Sequence, residues 1–148
     1  MGTLEQQETG EESQIRRAFF MLIQGCPLIP DTISVKYGDT GNNSIGLFSQ
    51  KGEKSITKQF ISGAYEAQLP FLLRYVTIPQ TDDDRINAEE FLADIADWMR
   101  RLESFPALSE ERKVLKIETG NVYSDKKQED GTVNYEVTVN LKYRKGSK

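Results

Sequence analysis

Ile86-Asn87-Ala88-Glu89-Glu90-Phe91-Leu92-Ala93-Asp94-Ile95-Ala96-Asp97-Trp98-Met99-Arg100-Arg101-Leu102 is the stretch on which the fold turns. At about 100° per residue, Trp98, Phe91, Leu102, Ile95, Ala88, Met99 and Leu92 fall in one broad apolar stripe. Glu89, Glu90, Ala93, Asp94, Asp97, Arg100 and Arg101 take the other side. Asn87 is placed to cap the helix, Glu90 to reach back three residues later, and Ile86 to staple onto Phe91. Such a helix needs an apolar surface to cover, and one face of a sheet is the natural candidate.

The flanking chain reads as that sheet and one more helix. Ile15, Ala18, Phe19, Leu22 and Ile23 recur at helical spacing, with Thr9 and Glu12 in a capping-box pattern. The spacing predicts a helix over about 10–24, closed by Gly25 and Pro27 and preceded by a frayed polar start at 1–8. Phe20 and Met21 widen its stripe, read as deeper burial or else a partner surface. Ile33–Tyr37, Ile45–Ser49 and Ile56–Ile61 are short strands, and Gly38–Ser44 is a turn-rich loop. Ser62-Gly63 is a tight turn. From Tyr65 to Tyr75 apolar residues alternate in a long hairpin arm, with Pro70 marking an edge or a bulge because it cannot donate to a ladder. Residues 104–113 form a loop. Val114–Tyr123 and Val133–Arg144 are the last strands. In the second of these Val133, Tyr135, Val137, Val139, Leu141 and Tyr143 face one way. Asn134, Glu136, Thr138, Asn140 and Lys142 form a polar face that is wet or meets another subunit. Asp130-Gly131 marks a turn at a projecting, mobile tip.

The expected fold is α+β, one domain over 1–148. It has a single mixed, mainly antiparallel sheet of about five or six strands, in the order α-β-β-β-β-α-β-β.

Composition narrows function by exclusion. The chain has 148 residues, one cysteine and no histidine. Cys26 therefore has no intrachain disulfide partner, and it reads as a small buried apolar group. Lack of histidine removes the commonest general base and the commonest zinc ligand, and the reading is of a non-enzyme. The net charge of −4 argues against nucleic-acid binding by bulk charge. No apolar run approaches the roughly 18 residues of a membrane span, and Met1–Gln6 lacks the pattern of a signal peptide. Gln6 stands where a myristoylation signal wants Ser or Thr. The expected site of production is the cytoplasm.

Asp39–Ser44 faintly resembles a calcium loop, but Gln50 stands where that loop needs an acidic residue. Asp82-Asp83-Asp84 is either a hard-cation site or, more simply, acidic charge at a helix start. No cofactor or metal is expected. Lys51, Lys54 and Lys58 form a basic strip, read as edge protection or as docking to an acidic partner. Those lysines, Asp125, Lys126, Lys127 and Asp130 in the projecting tip, and Tyr143 on the last strand are the candidate interface residues.

Phe60-Ile61-Ser62-Gly63-Ala64-Tyr65-Glu66-Ala67-Gln68-Leu69-Pro70-Phe71 resembles a hairpin found in small minor capsid and tail proteins of tailed phages and prophages of Gram-positive bacteria. Similar agreement continues in Ile86–Leu92, Phe105–Leu108, Ile117–Tyr123 and Tyr135–Tyr143, so the resemblance runs from about residue 12 to 144. Ile61-Ser62-Gly63 departs from the pattern, which more often has an acidic residue before the glycine. The resemblance implies a tail-terminator or tail-completion subunit in the virion, assembled in the host cytoplasm. It further implies two helices on one sheet face and a homo-oligomeric ring, a hexamer, between the tail-tube protein and the head-connector protein, with DNA passing through unbound. Two alternatives stand beside it: a head-completion or stopper protein of the same joint, and a cytoplasmic α+β module binding a small ligand.

Overall fold

The computed structural model describes residues 2–50, 55–105 and 111–146, with side chains from Glu12 onward, Ser55 apart. Two helices, α1 (Gly2–Gln24) and α2 (Asp82–Arg100), accompany a seven-stranded mixed sheet. Its strands are β1 (Ser34–Tyr37), β2 (Ser44–Ser49), β3 (Ser55–Gln59), β4 (Tyr65–Thr77), β5 (Arg112–Thr119), β6 (Tyr123–Ser124) and β7 (Val133–Lys145). Their lateral order is β1-β2-β4-β7-β5, with β3 also paired to β4 and β6 to β7. Among the described strands only β1 and β2 run parallel.

The alternation of β4 and β7 does what period two predicts. Leu69, Phe71 and Leu73 of β4 stand opposite Leu141, Val139 and Val137 of β7, and all six are buried. Phe19 of α1 meets Phe71 edge-on at 4.8 Å, and Phe91 of α2 meets Tyr75 at 5.0 Å. Phe71 and Tyr75 share parity on β4, so both helices cover the same face. Ile15, Phe19 and Ile23 of α1 and Leu92, Ile95 and Met99 of α2 complete the core. Truncating a ring as enclosed as Phe71 costs about 3–5 kcal/mol.

Several boundaries differ from expectation, each for a local reason. The second helix starts at Asp82, not at Ile86. Thr81 is extended, its hydroxyl accepts from the Asp84 N–H at 3.1 Å, and the Asp84 carboxylate accepts from the Thr81 N–H at 3.1 Å. That capping box displaces Asn87 and Glu90 from the role, and Asp82, Asp83 and Asp84 become the first helical turn, where the helix dipole favours them. Ile86 is 52% exposed and staples nothing. The first helix extends back to Gly2, so Thr9 lies inside it and not at its start.

Strand β4 is no outlying arm but the strand between β7 and β2. Pro70 survives there because β2 ends opposite Phe71 and β3 begins opposite Gln68. The missing N–H falls in the gap between those partners, where the Pro70 carbonyl accepts from Gln50 N–H at 3.2 Å. The last long expected strand before β7 divides at Gly120. A Cβ there would press on the Thr138 hydroxyl, and the chain resumes pairing only at Tyr123.

Candidate interaction surfaces

The sheet face opposite the helices carries the polar rows, and it is built by register. Arg74 and Glu136 stand directly opposite each other on β4 and β7. They form an ion pair at 2.5 Å, with Glu136 buried and Arg74 partly so. The Arg74 guanidinium lies 4.7 Å from the Phe48 ring centroid. Burial pushes the Tyr123 hydroxyl pKa up, and its hydrogen bond to the Glu136 carboxylate adds to the shift. Further along, Asn140 donates to Gln68 at 2.7 Å. Glu118 accepts from Lys116 at 3.1 Å and Lys142 at 3.3 Å, and those two lysines hold its carboxyl below the usual range. Gln50, Gln68, Pro70, Glu118, Thr138 and Asn140 border an open groove of about 450 Å³ between these rows.

One loop crosses this face. Residues 38–43 join parallel strands β1 and β2, well short of the dozen or so residues that such a connection usually takes. The crossing is tight. A Cβ on Gly46 would land on the Asp39 carbonyl and the Thr40 methyl, so only glycine fits beneath. Gly38 N–H to Leu47 O (2.8 Å), Asn43 N–H to Val76 O (2.7 Å) and Asn43 Nδ2 to Thr32 O (3.0 Å) pin the loop. It is therefore not the free loop that its glycines and asparagines suggest.

At the far end of the same face Lys58, Glu66, Arg144 and Lys113 form one row across β3, β4, β7 and β5. Lys58 Nζ lies 5.3 Å, and the Arg144 guanidinium 4.6 Å, from the Phe60 ring centroid. Phe60 opens the β3–β4 turn, in which Gly63 takes φ +97°. Ile61, at the tip, is 108% exposed.

The candidate interface residues do not gather in one place. Lys51 and Lys54 lie outside the described residues. Lys58 is exposed on β3, at the basic row. Asp125, Lys126 and Lys127 are exposed beside β6 at the opposite end of β7. Their loop is braced: Asp125 N–H bonds to Asn134 O at 3.0 Å and Gln128 N–H to Thr132 O at 2.8 Å. Asp130 is part of that brace. Its carboxylate accepts from the Thr132 hydroxyl at 2.6 Å and N–H at 3.0 Å, which lowers its pKa, and Gly131 follows at φ +88°. Tyr143 is a correction. It is fully buried on the helix-covered face, because its parity on β7 is that of Val139 and Leu141. Cys26 is buried too, and burial pushes its thiol pKa up.

Sequence reading missed the Arg74–Glu136–Tyr123 cluster. Its members are 62 residues apart at the ion pair, and only strand register brings them together. The one available signal was charge at two positions of the polar set in the two long strands. Among the described residues no group of three or more His, Cys, Asp or Glu side chains could hold a metal ion. No helix among them is long and apolar enough to cross a membrane. On the open face Arg74 pairs with Glu136, and Lys116 and Lys142 pair with Glu118.

No protein-family model matches the chain, and no curated protein matches it. Among solved structures, its fold is similar to a chain in the virion of a native gene transfer agent particle. The TM-score is 0.52 at 11% sequence identity, over 90% of this chain and 91% of that one.

Proposed function

We propose that the protein is a structural subunit of a tailed-phage virion, a tail terminator or tail-completion protein. Copies form a ring, a hexamer, that ends tail-tube growth and joins the tail to the head connector. The observation that carries this reading is the fold likeness to a virion component, which spans 90% of this chain. The resemblance of Phe60–Phe71, Ile86–Leu92 and Ile117–Tyr123 to phage tail proteins points the same way.

The subunit has features that such a part needs. Strands β1 and β3 on one side and β5 and β6 on the other end the sheet, leaving backbone groups available to neighbours. Contacts between unlike surfaces of identical subunits close into rings when the rotation between neighbours closes. A chain of net charge −4 suits a passage through which DNA moves without being held. Lys58 and the loop carrying Asp125, Lys126 and Lys127 are its contact points, and Asp130 holds that loop in shape.

Electron microscopy of lysates from a phage deleted for this gene tests the reading. A terminator's loss gives tubes that grow past normal length and heads that lack tails. Tails of normal length that fail to join point instead to a head-completion or stopper role.

A further inference from the structure

The β3–β4 hairpin tip and the outer face of α2 are matched to each other, although they lie far apart on one subunit. Ile61 is 108% exposed at a turn, where it contributes nothing to its own core. Lys58 and Arg144 lie over the ring of the neighbouring Phe60. Glu66 stands between them in register, yet neither makes an ion pair among the described residues. Lone exposed apolar side chains are ordinary, but one at a turn, next to an aromatic ring that carries two cations, forms a compact anchor.

The complementary surface is on α2. Ala88, Leu92, Ile95, Ala96 and Met99 face the sheet, which leaves Asp83, Ile86, Glu90, Ala93 and Asp94 along the opposite side. Ile86 is 52% exposed there, and the small, exposed Ala93 follows two turns along, with Glu90 between them. Asp83, Glu90 and Asp94 are exposed and make no ion pair with any described residue. The stripe thus carries acidic groups interleaved with exposed apolar ones, and the hairpin end carries Lys58 and Arg144 next to an exposed apolar tip.

The two surfaces cannot meet within one chain. Lys58 and Arg144 stand at the start of β4, while Asp82 follows the end of β4, thirteen residues along the strand. We propose that the β3–β4 hairpin tip of one copy docks on the outer face of α2 of a second copy, Ile61 against Ile86 and Ala93, with Lys58 and Arg144 facing Glu90 and Asp94. The contact is heterologous. Each copy offers one tip and one stripe, so association continues until a ring closes. This inference rests on the ring reading only in taking a second copy as the occupant.

Sedimentation velocity on the full chain, from micromolar to millimolar concentration, tests it. Ile61→Asp, the pair Lys58→Glu with Arg144→Glu, and the pair Glu90→Lys with Asp94→Lys each weaken self-association by about tenfold or more. The two charge-reversed pairs combined restore it to within about threefold of the unaltered chain, because the cross-contact is regenerated with signs exchanged. Circular dichroism checks that each variant is folded. Where reversal at Arg144 disturbs the sheet, Ile61→Asp at the exposed turn carries the test alone. A combined variant no stronger than its parents overturns the proposal, as does association indifferent to Ile61→Asp. A chain that stays monomeric throughout the range also overturns it and gives the hairpin tip to a different protein. Overgrown tails in the deletion lysate with unchanged association in these variants refute this contact alone. Normal tails with weakened variants refute the terminator reading alone.

Discussion

Removing either partner of the Arg74–Glu136 pair is expected to destabilise the protein, and unequally. Glu136 is 6% exposed, while the Arg74 side chain is 29% exposed. Glu136→Ala deletes a charge-assisted bond of about 1.5–3 kcal/mol together with the Tyr123 hydrogen bond. It leaves Arg74 in reach of water and still stacked on Phe48, so the cost stays near 2–3 kcal/mol and not at the roughly 3–5 of a wholly buried pair. Arg74→Met strands a carboxylate with Tyr123 as its remaining partner, and it belongs at the upper end of that range. At about 2–4 °C per kcal/mol for a chain of this size, Glu136→Ala lowers Tm by about 5–10 °C. Urea unfolding of both single variants and the double variant closes the cycle, with a coupling of about 1–3 kcal/mol expected. A coupling below about 0.5 kcal/mol refutes the reasoning, for that is the behaviour of an exposed surface pair.

Three further outcomes follow from the same geometry. Gly46→Ala forces the 38–43 loop off the sheet and costs about 1–3 kcal/mol, read by urea unfolding, with the largest amide shifts at Asp39, Thr40 and Asn43. Tyr135→Phe is neutral or stabilises by up to about 1 kcal/mol in thermal unfolding, because the Tyr135 hydroxyl is buried without a hydrogen-bond partner among the described residues. The Thr132 contacts hold Asp130 below its ordinary pKa. Their contribution is therefore complete above the unfolded aspartate pKa and is lost as pH falls through the folded value. Thr132→Val should move the Asp130 titration upward, as carboxyl NMR shifts against pH would record.

What was readable in the sequence was what depends on period. The alternation Tyr65 to Tyr75 and Val133 to Tyr143 correctly sorts the two faces of the central strands. The stripe from Ala88 to Met99 includes Ala88, Leu92, Ile95 and Met99, which face the sheet, and omits only Ala96 of the buried α2 residues. What depends on chain-distant register was not readable. Arg74 and Glu136 look like two members of a polar set until β4 and β7 are aligned. Pro70 is consistent with an edge or a bulge, and the actual reason is a gap between two other strands. Capping failed for a different reason. Asn87 and Thr81 are both competent caps with an acidic residue three positions on, and three aspartates after Thr81 tip the choice toward the earlier start. Tyr143 was misassigned as interface although its own alternation places it with the core.

Cryo-electron microscopy of the intact head–tail joint tests the central claim most directly. The expected image is a closed ring of copies of this chain, six in number, between the end of the tail tube and the connector. The position of the chain on the connector side, with another protein seated on the tube end, contradicts it, and so does its absence from the joint.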